Sequence, residues 1–146
     1  MNMGNCKGFS LVEILVVVIV AGILLGVAIP SYQGYILRND RTDATVALTN
    51  IAGSQERFYL QNGTYASNVQ LAELGFPTSH TERGYYRLSI VPHTGGLSVG
   101  YTAKASTVLT EKQAADTNCA TFSIDEMGHR GANGSSNKAL IEECWR

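Results

Sequence analysis

The sequence predicts an α+β fold: one long N-terminal helix whose second half packs on an antiparallel sheet of about four strands. Three observations lead there. From Ile14 to Ile29 every residue is apolar or Gly. A cleaner stripe follows, in which Ala44, Ala47, Leu48, Ile51, Ala52, Gln55, Phe58 and Tyr59 recur in steps of three and four. Those steps define one face of a helix. Beyond Tyr86 the period changes to two, which is the pattern of strands with one buried face. Such faces need a cover, and the helical stripe supplies it.

Taken in order, the apolar run counted from Phe9 is about long enough to cross a bilayer core, which takes roughly 20 helical residues. Pro30 removes one helical hydrogen bond and clashes with the preceding turn, so a kink is expected there. The helical spacing nevertheless resumes at Ala28, Ile29, Tyr32, Tyr35 and Ile36. Gly22, Gly26 and Pro30 mark the weakest helical stretch. A polar patch from Asn39 to Asp43 separates the apolar run from the stripe, and Asn62-Gly63 is the expected stop. A helix of about 50 residues is far above the globular average. Its length makes sense if the first half packs against other chains and the second against its own domain.

Thr64 to Pro77 reads as a connecting loop with one short turn around Val69 to Leu74. Tyr86, Leu88 and Ile90 alternate with Arg87 and Ser89 in a first strand, and Pro92 to Gly96 is a turn. Leu97, Val99, Tyr101, Ala103 and Ala105 predict a second strand. Ala120, Phe122 and Ile124 predict a third, with Cys119 at its start. Glu126-Met127-Gly128 turns the chain into a short fourth strand at His129 to Ala132. Asn133 to Asn137 is polar and Gly-rich, which predicts an exposed loop.

One residue does not belong in the apolar run. An ionised Glu13 costs on the order of a few kcal/mol in hydrocarbon, so an acid there asks for a partner. A secretory signal peptide, with Lys7 as its charged region and cleavage after Gly26-Val27-Ala28, is one alternative. Glu13 interrupts its apolar core and Pro30 lies just past its cut. An uncleaved anchor with Glu13 near the aqueous interface is another.

Lys7-Gly8-Phe9-Ser10-Leu11-Val12-Glu13, followed by the unbroken apolar helix and Pro30, resembles the type IV prepilin signature. The resemblance implies a type IV pilin fold. It implies a leader at 1–8, a transmembrane and assembly helix at 9–30, and a periplasmic globular domain at 31–146 that includes the second half of the helix. In that family a prepilin peptidase cuts between the residues corresponding to Gly8 and Phe9 and methylates the new amino terminus, here Phe9. The resemblance also gives Glu13 its partner, the charged amino group of Phe9 on a neighbouring subunit. A charge in an apolar filament core is costly unless an opposite charge meets it, so this pairing favours adding the next subunit in register.

Removing the leader removes Cys6 and leaves Cys119 and Cys144. Two cysteines outside the cytoplasm make a disulfide the default. The family's region between such cysteines lies on the filament surface. Asn118-Cys119, Gly128 and the ending Cys144-Trp145-Arg146 resemble minor pilins of the PilE type more than the major subunit. Gly63-Thr64-Tyr65-Ala66 and Leu74-Gly75-Phe76 resemble the family's segment between helix and sheet. Lys7 favours a cytoplasmic N-terminus, while Arg38 and Arg41 lie just beyond the other end.

Composition excludes several functions. Lys and Arg number 11 against 12 Asp and Glu, a net charge of −1, so no strong electrostatic partner is implied. Filaments of this kind can carry DNA, but Arg38, Arg41, Arg57, Arg83 and Arg87 are scattered and form no basic stripe. His80, His93 and His129 lie far apart with no two at ligand spacing, so no metal is expected. There is no G-x-S-x-G, phosphate loop or dinucleotide fingerprint, so neither an enzyme nor a cofactor is expected. Asp125 and Glu126 are adjacent and would point apart into solvent. Asn62-Gly63-Thr64 and Asn133-Gly134-Ser135 match a glycosylation sequon, but turns explain both better. Tyr32, Tyr35, Phe58 and Tyr59 suggest helix-face packing before any aromatic path.

The reading that follows is a structural subunit, a minor pilin held in the inner membrane and then polymerised into an extracellular pilus. The resemblance implies other pilin subunits, major and minor, the prepilin peptidase and an inner-membrane platform with its motor ATPase as partners, with membrane lipid before assembly. Twitching motility, surface attachment and DNA uptake are the uses open to such a filament. A pseudopilin of a type II secretion system and an anchored periplasmic module that never polymerises are the alternatives.

Overall fold

A computed structural model describes residues 8–146. Helix α1 runs Leu11–Asn62 and is helical through Pro30. Strands β1 (Tyr86–Pro92), β2 (Tyr101–Thr107), β3 (Thr121–Asp125) and β4 (Arg130–Ala132) form one four-stranded antiparallel sheet in the order β1-β2-β3-β4. Helix α2 (Lys138–Cys144) follows. The chain divides into two compact units, Met1–Ile36 and Leu37–Arg146.

The second unit has one apolar core. Ala44, Ala47, Leu48 and Ile51 of α1 join Tyr86, Leu88, Ile90, Tyr101, Ala103, Ala105, Phe122 and Ile124 of the strands in a single buried cluster. Alternation along the strands decides which side is buried: the residues between these face the other way, as the period of two requires. Gly63 ends the helix at φ +68°, a conformation that favours glycine, with its amide donating to Tyr59 O at 2.8 Å.

The segment after α1 is more than a surface loop. Gln55 is the polar member of the helical stripe and is fully buried. Its side-chain amide donates to Ala66 O at 3.0 Å, and its carbonyl accepts from Ala66 N at 2.7 Å. Both backbone groups of a buried residue are satisfied by one side chain, as burial demands. Tyr65, Ala66, Leu71 and Leu74 of this segment join the core, and Asn68 Oδ1 accepts from Ile90 N at 3.0 Å.

The second strand is shorter than its alternation predicts. It begins at Tyr101, not Leu97. Gly96 has φ +88°, and the amides of Val99 and Gly100 both donate to Gly96 O, coiling the chain into a turn. Leu97 is half-buried against the core while Val99 is exposed. Asp125 and Glu126 also differ from expectation. Asp125 Oδ1 accepts from Met127 N and His129 N, and its other oxygen lies 3.0 Å from His129 Nδ1. Glu126 Oε2 accepts from Tyr101 N at 3.2 Å. Each acid satisfies backbone donors that a turn leaves over, so neither simply points into solvent.

Cys119 and Cys144 form a disulfide across 25 positions, with Cα atoms 5.6 Å apart. Helix α2 within that closure has no sequence expectation behind it. Asn137 caps it, its side chain accepting from Ala139 N and Leu140 N. Trp145 then ties the end of the chain to β4: its Nε1 donates to Gly131 O at 3.0 Å, and its ring meets Phe122 edge-on at 5.9 Å. Opening a loop of this size removes about 3 kcal/mol on the chain-entropy account. Cys119→Ser should therefore speed limited proteolysis between β3 and α2. Digestion at the wild-type rate would mean that the Trp145 contacts alone hold this segment.

Candidate assembly site and surface

Gly8, Phe9 and Ser10 precede α1 and are exposed. Ser10 O accepts from Glu13 N at 3.0 Å and Ile14 N at 3.2 Å, which makes Ser10 the residue that starts the helix. Serine suits that position because it satisfies helix-end donors readily. Glu13 then falls in the first turn, where the helix dipole favours a carboxylate. The spacing Ser10 to Glu13 is that of a capping box. Among the described residues, however, the Glu13 carboxylate makes no hydrogen bond or ion pair, and it is exposed. Residues 1–7, with Cys6 and Lys7 of the expected leader, lie outside the described residues.

From Phe9 to Ile29 every side chain is exposed. The helix is long and apolar enough to cross a membrane by length and composition. An exposed apolar surface of this extent marks a membrane or protein contact.

The second unit contains a polar hub that the sequence did not announce. Arg41 is buried, and so is Asp116. The guanidinium meets the carboxylate through two bonds, Nε at 2.6 Å and Nη2 at 2.9 Å, while Nη1 reaches Glu143 O at 3.2 Å. Arginine suits this site because its planar fork matches a carboxylate bidentately. Gln113, also buried, donates to Asp116 and to Leu37 O. Immediately before Arg41, Asp40 accepts from Arg83 Nη1 at 2.9 Å. Lys112 Nζ lies 2.7 Å from its other oxygen, an ion pair by distance whose angle is poor for a hydrogen bond. Asp40 and then Tyr85 hold the Lys112 ammonium above its usual pKa. Thus α1, the 112–116 segment and the disulfide-closed end meet around Asp40 and Arg41. Of this hub the sequence showed a polar patch inside a helix; the partners lie 43 and 75 positions away.

Burial pushes the Tyr86 and Tyr101 hydroxyls well above the ordinary tyrosine range, so neither ionises under ordinary conditions. Among the described residues no cluster of His, Cys, Asp and Glu could hold a metal. His80 forms an isolated bridge with Arg87, His93 follows β1 and His129 precedes β4, so no two share an element.

Residues 30–123 match the family described as type IV minor pilin ComP, DNA uptake sequence receptor. The chain belongs to the type IV pilin family. Residues 3–29 match the prokaryotic N-terminal methylation motif. A fimbrial protein of Neisseria meningitidis serogroup B is 33% identical over 89 residues, covering 61% of this chain and 51% of its own. The type IV major pilin protein PilE1 of Neisseria gonorrhoeae is 31% identical over 81 residues, covering 56% and 49%. A solved type IV pilin from Shewanella oneidensis is 25% identical, with a TM-score of 0.48, covering 68% of this chain and 96% of that one. The chain spans about half the length of the curated relatives it matches. Relatives bearing the PilE name are named as major pilins, whereas the family matching residues 30–123 is a minor pilin's.

The pilin family is structural, and its members associate with other pilin subunits. The long helix, the four-stranded sheet and the Cys119–Cys144 disulfide are the parts the sequence predicted.

Proposed function

We propose that this pilin is a minor subunit of a type IV pilus. Prepilin peptidase cuts it between Gly8 and Phe9 and methylates Phe9. The helix holds it in the inner membrane with the C-terminal domain in the periplasm. A platform with a motor ATPase then moves it into an extracellular filament. Glu13 meets the methylated amino group of Phe9 on a neighbouring subunit, and Pro30 is a kink in the assembling helix.

The observation that carries this reading is a Glu13 with no partner among the described residues, together with a methylation motif over residues 3–29. An anchor alone gives no reason for the acid. The family described as a DNA uptake sequence receptor supports a use in DNA uptake over motility or attachment.

Gly8→Val tests the processing step. The peptidase accepts only hydrogen at that side chain, so a branched one should leave full-length precursor in the membrane and essentially none in filaments. Immunoblotting of membrane and sheared-surface fractions checks it. Mature protein from that variant at the wild-type level would put the cut elsewhere.

A further inference from the structure

A hollow of about 620 Å³ lies between the second half of α1 and the segment 74–82, a size within the roughly 300–1,000 Å³ of small-ligand sites. It belongs wholly to the second unit, and nothing from the disulfide-closed segment 119–144 lines it. Gly53 opens its helical side. Glycine weakens a helix interior, and a Cβ at this position would meet only Arg57 Nη1, at 3.9 Å. Packing among the described residues therefore gives no reason for a glycine there. The opposite wall is bent. Ser79 has φ +55°, a conformation that residues with a side chain seldom adopt and that recurs at ligand clamps. Its two neighbours in the chain, Thr78 and His80, both line the hollow.

The lining is mostly polar, and much of it is uncommitted. Arg57 lies back along the helix, its Nη2 donating to Ser54 Oγ at 2.8 Å, and it forms no ion pair among the described residues. His80 Nδ1 lies 2.6 Å from Thr78 O. A carbonyl only accepts, so Nδ1 carries the proton and Nε2 of the neutral ring is left as an acceptor. Among the described residues the side chains of Asn50 and Glu82 form no hydrogen bond or ion pair. Phe76 adds a half-buried ring. The charges of Arg57 and Glu82 cancel, so the site does not select an anion. It offers a donor in Arg57, acceptors in Glu82 and His80, and both in Asn50. Neighbouring hydroxyls, each of which donates and accepts, match that set. A protein segment would instead be anchored by large apolar side chains in dry pockets.

We infer that this hollow binds a short neutral saccharide, with Arg57, Asn50, His80 and Glu82 holding its hydroxyls and Gly53 giving the room. The apolar face of a sugar ring lies against Phe76. The inference goes beyond filament assembly and stands whether or not the chain polymerises.

Saturation-transfer-difference NMR tests it, using the full chain in nanodiscs of zwitterionic lipid. The probes are maltotriose, mannotriose, galactotriose and triacetylchitotriose. At least one should bind with a Kd of about 1 mM or tighter. Arg57→Gln should weaken that binding about tenfold, the loss of a hydrogen bond from a charged group. Gly53→Leu should abolish it by filling the hollow. That variant removes a glycine from a helix, so it should melt no lower than the wild type. Lys104→Gln, on the sheet and outside the hollow, should bind as wild type. Failure of all four sugars to bind would overturn the inference, and so would wild-type binding by Arg57→Gln or Gly53→Leu. An equal loss in Lys104→Gln would place the sugar elsewhere and overturn it too. Displacement of the sugar by a lower concentration of acetylated trialanine amide would assign the hollow to a protein segment instead.

Discussion

Glu13→Ala is expected to leave the Gly8–Phe9 cut intact and to cut incorporation into filaments by about a hundredfold or more. The size follows from what the variant leaves behind. In the assembled filament the methylated amino group of Phe9 would sit in apolar surroundings without a counter-charge. Removing one member of a buried pair costs about 3–5 kcal/mol, and each 1.4 kcal/mol is about tenfold in an association constant. Glu13 is exposed in the first turn, and its carboxylate makes no hydrogen bond or ion pair among the described residues, so its loss should not disturb the fold of this chain. The ratio of mature protein in the sheared-filament fraction to that in the membrane measures the effect. A wild-type ratio would remove the charge-pairing account. The shape of the second unit would be untouched by that result.

Arg41→Ala should be the most damaging single change within the globular unit. Asp116 would remain buried with two of its hydrogen bonds gone, and Glu143 O would lose its donor. The expected loss is about 3–5 kcal/mol, which lowers the melting temperature of a unit this size by about 15 °C. A second variant separates charge from packing. Arg41→Leu with Asp116→Leu removes both charges, and most of the stability should return. Thermal unfolding followed by circular dichroism compares the two. If the double variant melts as low as Arg41→Ala, the loss lies in packing and not in a stranded carboxylate.

These two residues differ in how far the sequence revealed them. Glu13 was legible because it breaks a long apolar run, and a local contrast is visible in one dimension. The same is true of the helical stripe: Ala44, Leu48, Ile51 and Gln55 are all buried where the steps of three and four put them. Arg41 was not legible. It sits in a polar patch that could as well face water, and its partners are the Asp116 carboxylate and Glu143 O, far along the chain. Only the fold brings them together.

The strands show the same division. Tyr86, Leu88, Ile90, Phe122 and Ile124 alternate because one face is buried, and pattern reading finds them. Leu97 and Val99 alternate too, yet Gly96 bends the chain before the strand can start. Alternation reports the period of two but not the backbone dihedrals that interrupt it. Helix α2 was missed because seven residues are too few for a helical period to stand out, although Asn137 supplies the cap. Arg87 and Lys104 look scattered along the chain and become neighbours only through the β1–β2 register.

The most direct test of the central claim, that this chain follows the pilin pathway into a filament, is an intact mass with N-terminal peptide mapping. The protein should come from native membranes and from sheared surface filaments. The account predicts a chain that starts at methylated Phe9, carries Cys119 and Cys144 oxidised, and is present in the sheared fraction. A chain that starts at Met1 and stays in the membrane would contradict it and leave an ordinary anchor. One starting near Ile29 would contradict it as well, since the apolar helix would then be a discarded secretory signal.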